Sequence, residues 1–219
     1  MLSELIARRF PQIKAFSEAT VAQRATSLLS TAVAQVEGEG DEATRGGIRF
    51  HMASSAATGI APVQALPTTA AQWLLYNPAA SGITIWIDTI GMWLVSGTAG
   101  AGATVLASIC KPTNVPATRP VASASGIVLT NANPASVRSS QLLVAASQTL
   151  QGTPGWAPIA FMNPTGTVLG QTQMEQRDIR GKISIPPDCG LGLAVISPTG
   201  TTPLFAPYAT YREYAADLE

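Results

Sequence analysis

The stretch Ile83-Thr84-Ile85-Trp86-Ile87-Asp88-Thr89-Ile90-Gly91-Met92-Trp93-Leu94-Val95 decides how this chain is read. It is β-branched and aromatic, the composition of a strand. In an extended chain one face carries Ile83, Ile85, Ile87, Thr89, Gly91, Trp93 and Val95, and the other Thr84, Trp86, Asp88, Ile90, Met92 and Leu94. Both faces are partly apolar. A sheet with water on one side alternates more cleanly, so the second face is expected to meet another sheet, the N-terminal helices or a neighbouring subunit. The residues expected at a subunit interface are Ile83, Ile85, Trp86, Ile90, Met92, Trp93 and Leu94. Gly91 is expected to mark a bulge or bend that divides the run into two strands.

The surroundings of this run are almost uncharged. From His51 to Met174 only Asp88, Lys111, Arg119 and Arg138 are ionised, whereas the first fifty residues hold twelve of the twenty-six charges and the last forty-five hold ten. Solubility is carried by the ends, and the middle has the composition of a segment that packs or pairs with copies of itself. At 219 residues the chain is long enough to bury a core without staples. Zero formal net charge and the lack of any Lys- or Arg-rich stretch argue against a nucleic-acid partner. The longest apolar run is broken by Thr84, Asp88, Thr89 and Gly91, so no membrane span is expected. Arg8 and Arg9 sit where a signal peptide would have its apolar core. Cys110 and Cys189 lie far apart in apolar strand context and are expected to be buried free thiols.

Residues 1 to about 36 carry apolar residues at helical spacing, with Pro11 breaking a short first helix from a longer second one. The acidic, Gly-rich segment from Glu37 to Glu42, with Gly46-Gly47 behind it, has the composition of a mobile linker. Residues 1–46 are therefore expected to be a helical anchor with its linker, and residues 47–219 a β-domain. Ten candidate strands follow: Ile48 to Ala53, Gln72 to Tyr76, Ile83 to Val95, Ala103 to Cys110, Gly126 to Leu129, Gln141 to Ser147, Trp156 to Met162, Lys182 to Ile185, Leu191 to Ser197 and Tyr208 to Tyr214. Their number and spacing predict a mainly β protein, a jelly-roll-like antiparallel sandwich with an N-terminal helical segment. Asn163-Pro164-Thr165-Gly166-Thr167 and Ser197-Pro198-Thr199-Gly200-Thr201 echo one another as two similar hairpin turns.

Catalytic chemistry has little to work with. His51 is the only histidine, so a Ser-His-Asp arrangement would need it, with Asp88 as partner, and no Gly-x-Ser-x-Gly elbow is present. His51 is expected to be a strand residue without a chemical role. Neither a Cys-x-x-Cys nor a His-x-x-x-His pair exists, and Glu37, Glu39 and Asp41 lack the ligand pattern of a calcium loop. Gly97 to Gly102 follows a strand but has no Lys-Ser or Lys-Thr behind it, and a second strand follows in place of a helix, so a hairpin loop is expected instead of a phosphate cradle. No catalytic residue, cofactor or metal ligand is expected. Trp73, Trp86, Trp93 and Trp156 are read as core or interface residues. Tyr208 would share a strand face with Thr210, Arg212 and Tyr214, and Tyr211 would point the other way with Ala209 and Glu213.

Three phrases carry a resemblance: Tyr76-Asn77-Pro78-Ala79-Ala80-Ser81-Gly82, Val95-Ser96-Gly97-Thr98 and Ile185-Pro186-Pro187-Asp188-Cys189-Gly190-Leu191-Gly192-Leu193-Ala194-Val195. Over roughly residues 72 to 214 the chain resembles tailed-bacteriophage structural proteins of the jelly-roll type. The resemblance implies a virion protein made in the host cytoplasm, a capsid decoration protein or a head or tail fibre, assembled as a trimer. The N-terminal helical segment departs from the simplest single-domain decoration proteins and is expected to anchor the β-domain to other virion proteins, capsid or tail. The alternative is a host-surface glycan-binding module using loops such as Gly97 to Gly102, Asn131 to Val137 or Gln151 to Trp156.

Overall fold

The computed structural model describes residues 39–55, 59–98, 102–162, 174–197 and 201–216. The chain divides into two units, Met1–Asp41 and Glu42–Glu219. The helices expected over residues 1 to 36 and the turn of residues 163–167 lie outside the described residues, as does the centre of the second turn at 198–200.

The acidic segment is not a linker throughout. Glu39–Arg45 forms the helix α1. Gly47, at φ 64°, takes the left-handed conformation that closes a helix. Its N–H donates to Thr44 O at 3.0 Å and the Ile48 N–H to Ala43 O at 3.0 Å, the paired bonds of a Schellman motif. The two glycines expected to loosen this segment instead terminate a helix and start the first strand.

Ten strands follow: β1 (Arg49–Ser54), β2 (Ala70–Tyr76), β3 (Ile83–Thr98), β4 (Ala103–Cys110), β5 (Ile127–Asn131), β6 (Leu143–Thr149), β7 (Ala157–Met162), β8 (Met174–Ile185), β9 (Gly190–Ile196) and β10 (Thr201–Ala215). They form two five-stranded antiparallel sheets, the first in the order β5-β1-β10-β3-β8 and the second β6-β2-β9-β4-β7. β1 pairs with β10, β2 with β9, β3 with β8 and β4 with β7, so early strands of the second unit pair with late ones. Since β3 and β4 lie in different sheets, the Gly97-to-Gly102 segment joins the sheets and is not the in-sheet hairpin loop expected from the sequence.

The core lies between the sheets. Phe50 and Met52, Ile85, Ile87, Ile90 and Met92, and Phe205, Ala209 and Tyr211 face it from the first sheet, and Trp73, Leu75, Val105, Leu191, Leu193 and Val195 from the second. Tyr211 stacks on Phe50 with ring centroids 5.7 Å apart. A second apolar cluster of Ala71, Leu74, Tyr76, Cys110, Val115 and Leu150 covers the outer face of the second sheet. Glycines on β9 make room for it: a Cβ at Gly190 would meet Leu74 Cδ1 at 2.8 Å, and one at Gly192 would meet Leu150 Cδ1 at 3.2 Å. Both cysteines are free thiols, Cys110 in this outer cluster and Cys189 against the inner core, on opposite sides of the sheet.

Candidate functional site

The long strand is continuous through Gly91, and a register shift falls at Asp88. Along β10, Ile87 pairs with Tyr211 and Thr89 with Thr210, so Asp88 is an extra residue without an opposite number. A bulge of this kind changes the parity of the side chains. Ile83, Ile85 and Ile87 face the core before it, and Ile90, Met92 and Leu94 face the same core after it. The apolar residues that seemed to occupy two faces therefore occupy one. Of the seven residues expected at a subunit interface, Ile83, Ile85, Ile90, Met92 and Leu94 are buried inside the chain's own sandwich. Only Trp86 and Trp93 lie on the opposite face, half-buried.

The bulge places a charge cluster on the outer face of the first sheet. Arg212 on β10 grips Asp88 through Nε and Nη2, each 2.9 Å from Oδ1, and Arg49 Nε lies 3.6 Å from Oδ2. Arg212 is only 6% exposed and Asp88 9%, so each charge depends on its partner for what water would otherwise provide. The neighbouring strand accommodates the guanidinium. Between Asp178 and Ile183 β8 swells out of register, with Arg180 and Gly181 both left-handed at φ 49° and 69°. A Cβ at Gly181 would lie 3.1 Å from Arg212 Nη2 and 3.6 Å from Trp86 Cε3, which is why glycine stands there. Beside the cluster the Thr89 and Thr210 hydroxyls hydrogen-bond across the strands at 2.7 Å, and the Arg212 guanidinium lies 5.8 Å from the Tyr214 ring centroid.

His51 sits on this same face, paired along the backbone with Thr210 and Thr130. Burial, and then the positive charge of Arg49, hold its imidazole below the ordinary histidine range. The structure brings His51 and Asp88 to one face, but the Asp88 carboxylate is engaged by two arginines, as a structural ion pair is. Arg49 and Arg212, which organise the cluster, were missed by sequence reasoning. The available signal was Arg212-Glu213, an adjacent charge pair inside an otherwise apolar strand.

A second constellation joins two of the three resemblance phrases. Asn77, fully buried, donates both amide hydrogens, to Ile83 O at 2.7 Å and Ile185 O at 2.8 Å. Its backbone pairs with the β8–β9 turn, its N–H to Cys189 O and its carbonyl with the Asp188 N–H. Asp188 accepts from the Tyr76 hydroxyl at 2.8 Å and from Arg119 Nε at 2.9 Å, and Arg119 continues to Pro112 O and Pro116 O. The guanidinium, ahead of the tyrosine hydroxyl, holds the Asp188 carboxyl below the usual carboxylate range. The Asn-Pro turn and the Ile-Pro-Pro-Asp turn are thus one clamp that fastens both sheets and the long β4–β5 connection. Its geometry is structural.

One concave feature on the surface is a shallow groove of about 330 Å³ lined by Pro116, Ala117, Thr118, Gln148, Thr149, Leu150 and Gln151. It carries hydroxyls and amides without a charged side chain. Among the described residues no cluster of His, Cys, Asp or Glu could hold a metal ion, and no helix is long and apolar enough to cross a membrane. Comparison of the chain with protein-family models, curated proteins and solved structures finds no match.

Proposed function

We propose that this protein is a non-enzymatic structural component of a tailed-bacteriophage virion, a capsid decoration or fibre protein that works as a homotrimer. The observation that carries the reading is the strand order. Setting aside the outermost strands β5 and β6, the orders β1-β10-β3-β8 and β2-β9-β4-β7 support a reading as the double Greek key of a jelly roll, an architecture used by viral capsid and lectin domains. The clamp around Asn77 adds to it by giving the Asn-Pro and Ile-Pro-Pro phrases a shared physical purpose.

The sheet edges favour association through faces. β8 lines its edge with Arg177, Asp178, Arg180 and Lys182, β7 carries Pro158, and the free edge of β6 is taken up by Ser123 and Ala124, all devices that discourage strand addition. The outer face of the first sheet, with Trp86, Trp93, Tyr208 and Tyr214, is then the surface through which copies meet, while the N-terminal segment carries attachment to other virion proteins. Cryo-electron microscopy of the particle encoded with this chain tests the reading. Threefold density on head or tail into which the sandwich fits is expected, and purified particles lacking the protein would overturn it.

The neutral groove favours a second reading, a jelly roll that binds host-surface glycans beside the Gln151-to-Trp156 loop. A glycan-array signal lost on Gln148→Ala with Gln151→Ala supports this alternative, and silence across a broad array removes it.

A further inference from the structure

Near the end of β10 a second carboxylate has been buried without the arginine that Asp88 enjoys. We propose that Glu213 is a proton-operated latch fastening the β5–β6 connection to β10: the neutral carboxyl stays in its pocket with Ser140 and Gln141, and ionisation draws it toward water and away from them. Glu213 is 0% exposed. Its Oε1 accepts two hydrogen bonds, from Ser140 Oγ at 2.7 Å and from the Gln141 N–H at 2.9 Å. Oε2 is buried and has no hydrogen-bond partner. The Tyr211 hydroxyl lies 2.7 Å from Ser140 Oγ, which also accepts the Leu142 N–H at 3.1 Å, so a chain of bonds runs from β10 through Ser140 into the start of β6.

One oxygen is served and the other is bare, an arrangement poor for a full negative charge and tolerable for a neutral acid. Among the described residues, the groups that bear on it are Tyr211 on its own strand and Ser140 and Arg138 on the connection. β1 offers the Ile48 carbonyl, which accepts the Glu213 N–H, and β3 offers Ile85 opposite. Arg49, His51 and Asp88 lie on the other face of the sheet. Burial outweighs the help from Ser140, the Gln141 amide, Arg138 and the Leu142 amide, and raises the carboxyl above the usual glutamate range. The proton is therefore kept by the folded chain at pH values where the unfolded chain has released it. The latch is fully closed below the unfolded carboxylate range, near pH 4.3, and weakens as pH rises through the folded value.

The test is hydrogen exchange of the Gln141 and Leu142 amides in the full chain across pH 4 to 8, corrected for intrinsic exchange chemistry. Their protection is expected to fall about tenfold for each unit by which the fold has raised the carboxyl, and to be independent of pH in Glu213→Gln. Constant protection in the parent chain, or an equal fall in Glu213→Gln, overturns the proposal. Should Glu213→Gln fail to fold, carbon-13 titration of the Glu213 carboxyl decides: a midpoint above the ordinary glutamate value supports the latch, and an ordinary midpoint refutes it.

Discussion

The two sheets have matching strand counts and share one core, yet their outer faces are built on opposite principles. The second sheet presents small residues, Gly190, Gly192, Ala194 and Ser108, and the chain's own connections fold down on them through Val115, Leu150 and Trp156. The first presents large aromatic and charged side chains, Trp86, Trp93, Tyr208, Tyr214, Arg49, Asp88 and Arg212, tied by an ion pair. A face closed by local chain needs room, which glycine supplies. The face proposed to meet a neighbour instead carries large, specific side chains, held by a buried Arg–Asp pair and a bulge.

The sharpest way to break this contrast is to insert one alanine between Thr89 and Ile90, after the bulge at Asp88. The added residue would turn Gly91 and Trp93 toward the core and Ile90, Met92 and Leu94 toward water. The expected outcome is loss of cooperative unfolding by circular dichroism. Arg212→Ala attacks the same face by stranding the Asp88 carboxylate. With Arg49 left at 3.6 Å the loss should fall near the lower end of the range for a broken buried pair, about 3 kcal/mol in urea denaturation. Asn77→Ala unties the clamp shared by both sheets and leaves the Ile83 and Ile185 carbonyls without their donor, for a loss of about 2–4 kcal/mol.

On the second sheet, Gly190→Ala should cost about 1–3 kcal/mol by overpacking, because the new methyl would sit 2.8 Å from Leu74 Cδ1 and 3.0 Å from Leu75 O. Gly82→Ala, which meets nothing within 4 Å, isolates the separate penalty of a left-handed backbone. The smallest effect concerns pH. Because Arg119 lowers the Asp188 carboxyl, the stability it brings is present above the unfolded aspartate range and is lost as pH falls through the lower folded value. Asp188→Asn should lower stability above pH 6 slightly and leave stability below the folded value unchanged, so that the acid-limb dependence disappears.

All ten strands were legible as short β-branched runs between turn residues, because each carries its own composition. What was not legible depended on neighbours. The bulge left no mark beyond one charge in an apolar run, so period-2 counting gave Ile83 to Val95 two apolar faces and an interface that the fold uses as core. The first half of β10 was hidden by Pro203 and Pro207. They are tolerated because β1 pairs only with Ala209 to Arg212, leaving the upstream half a single bridge, Ile60 to Phe205, on that side. The first half of β8 was hidden by its charges, which suit an edge strand. The Asp88–Arg212 pair joins residues 124 positions apart and could not be read from spacing.

The account rests on self-association through the outer face of the first sheet, and sedimentation equilibrium of the intact chain at micromolar concentration tests this most directly. It predicts a species of about 68 kDa, three times the 22.6 kDa chain, that dissociates on Trp86→Ser with Trp93→Ser while the fold is retained. A well-folded monomer of the parent chain would contradict it.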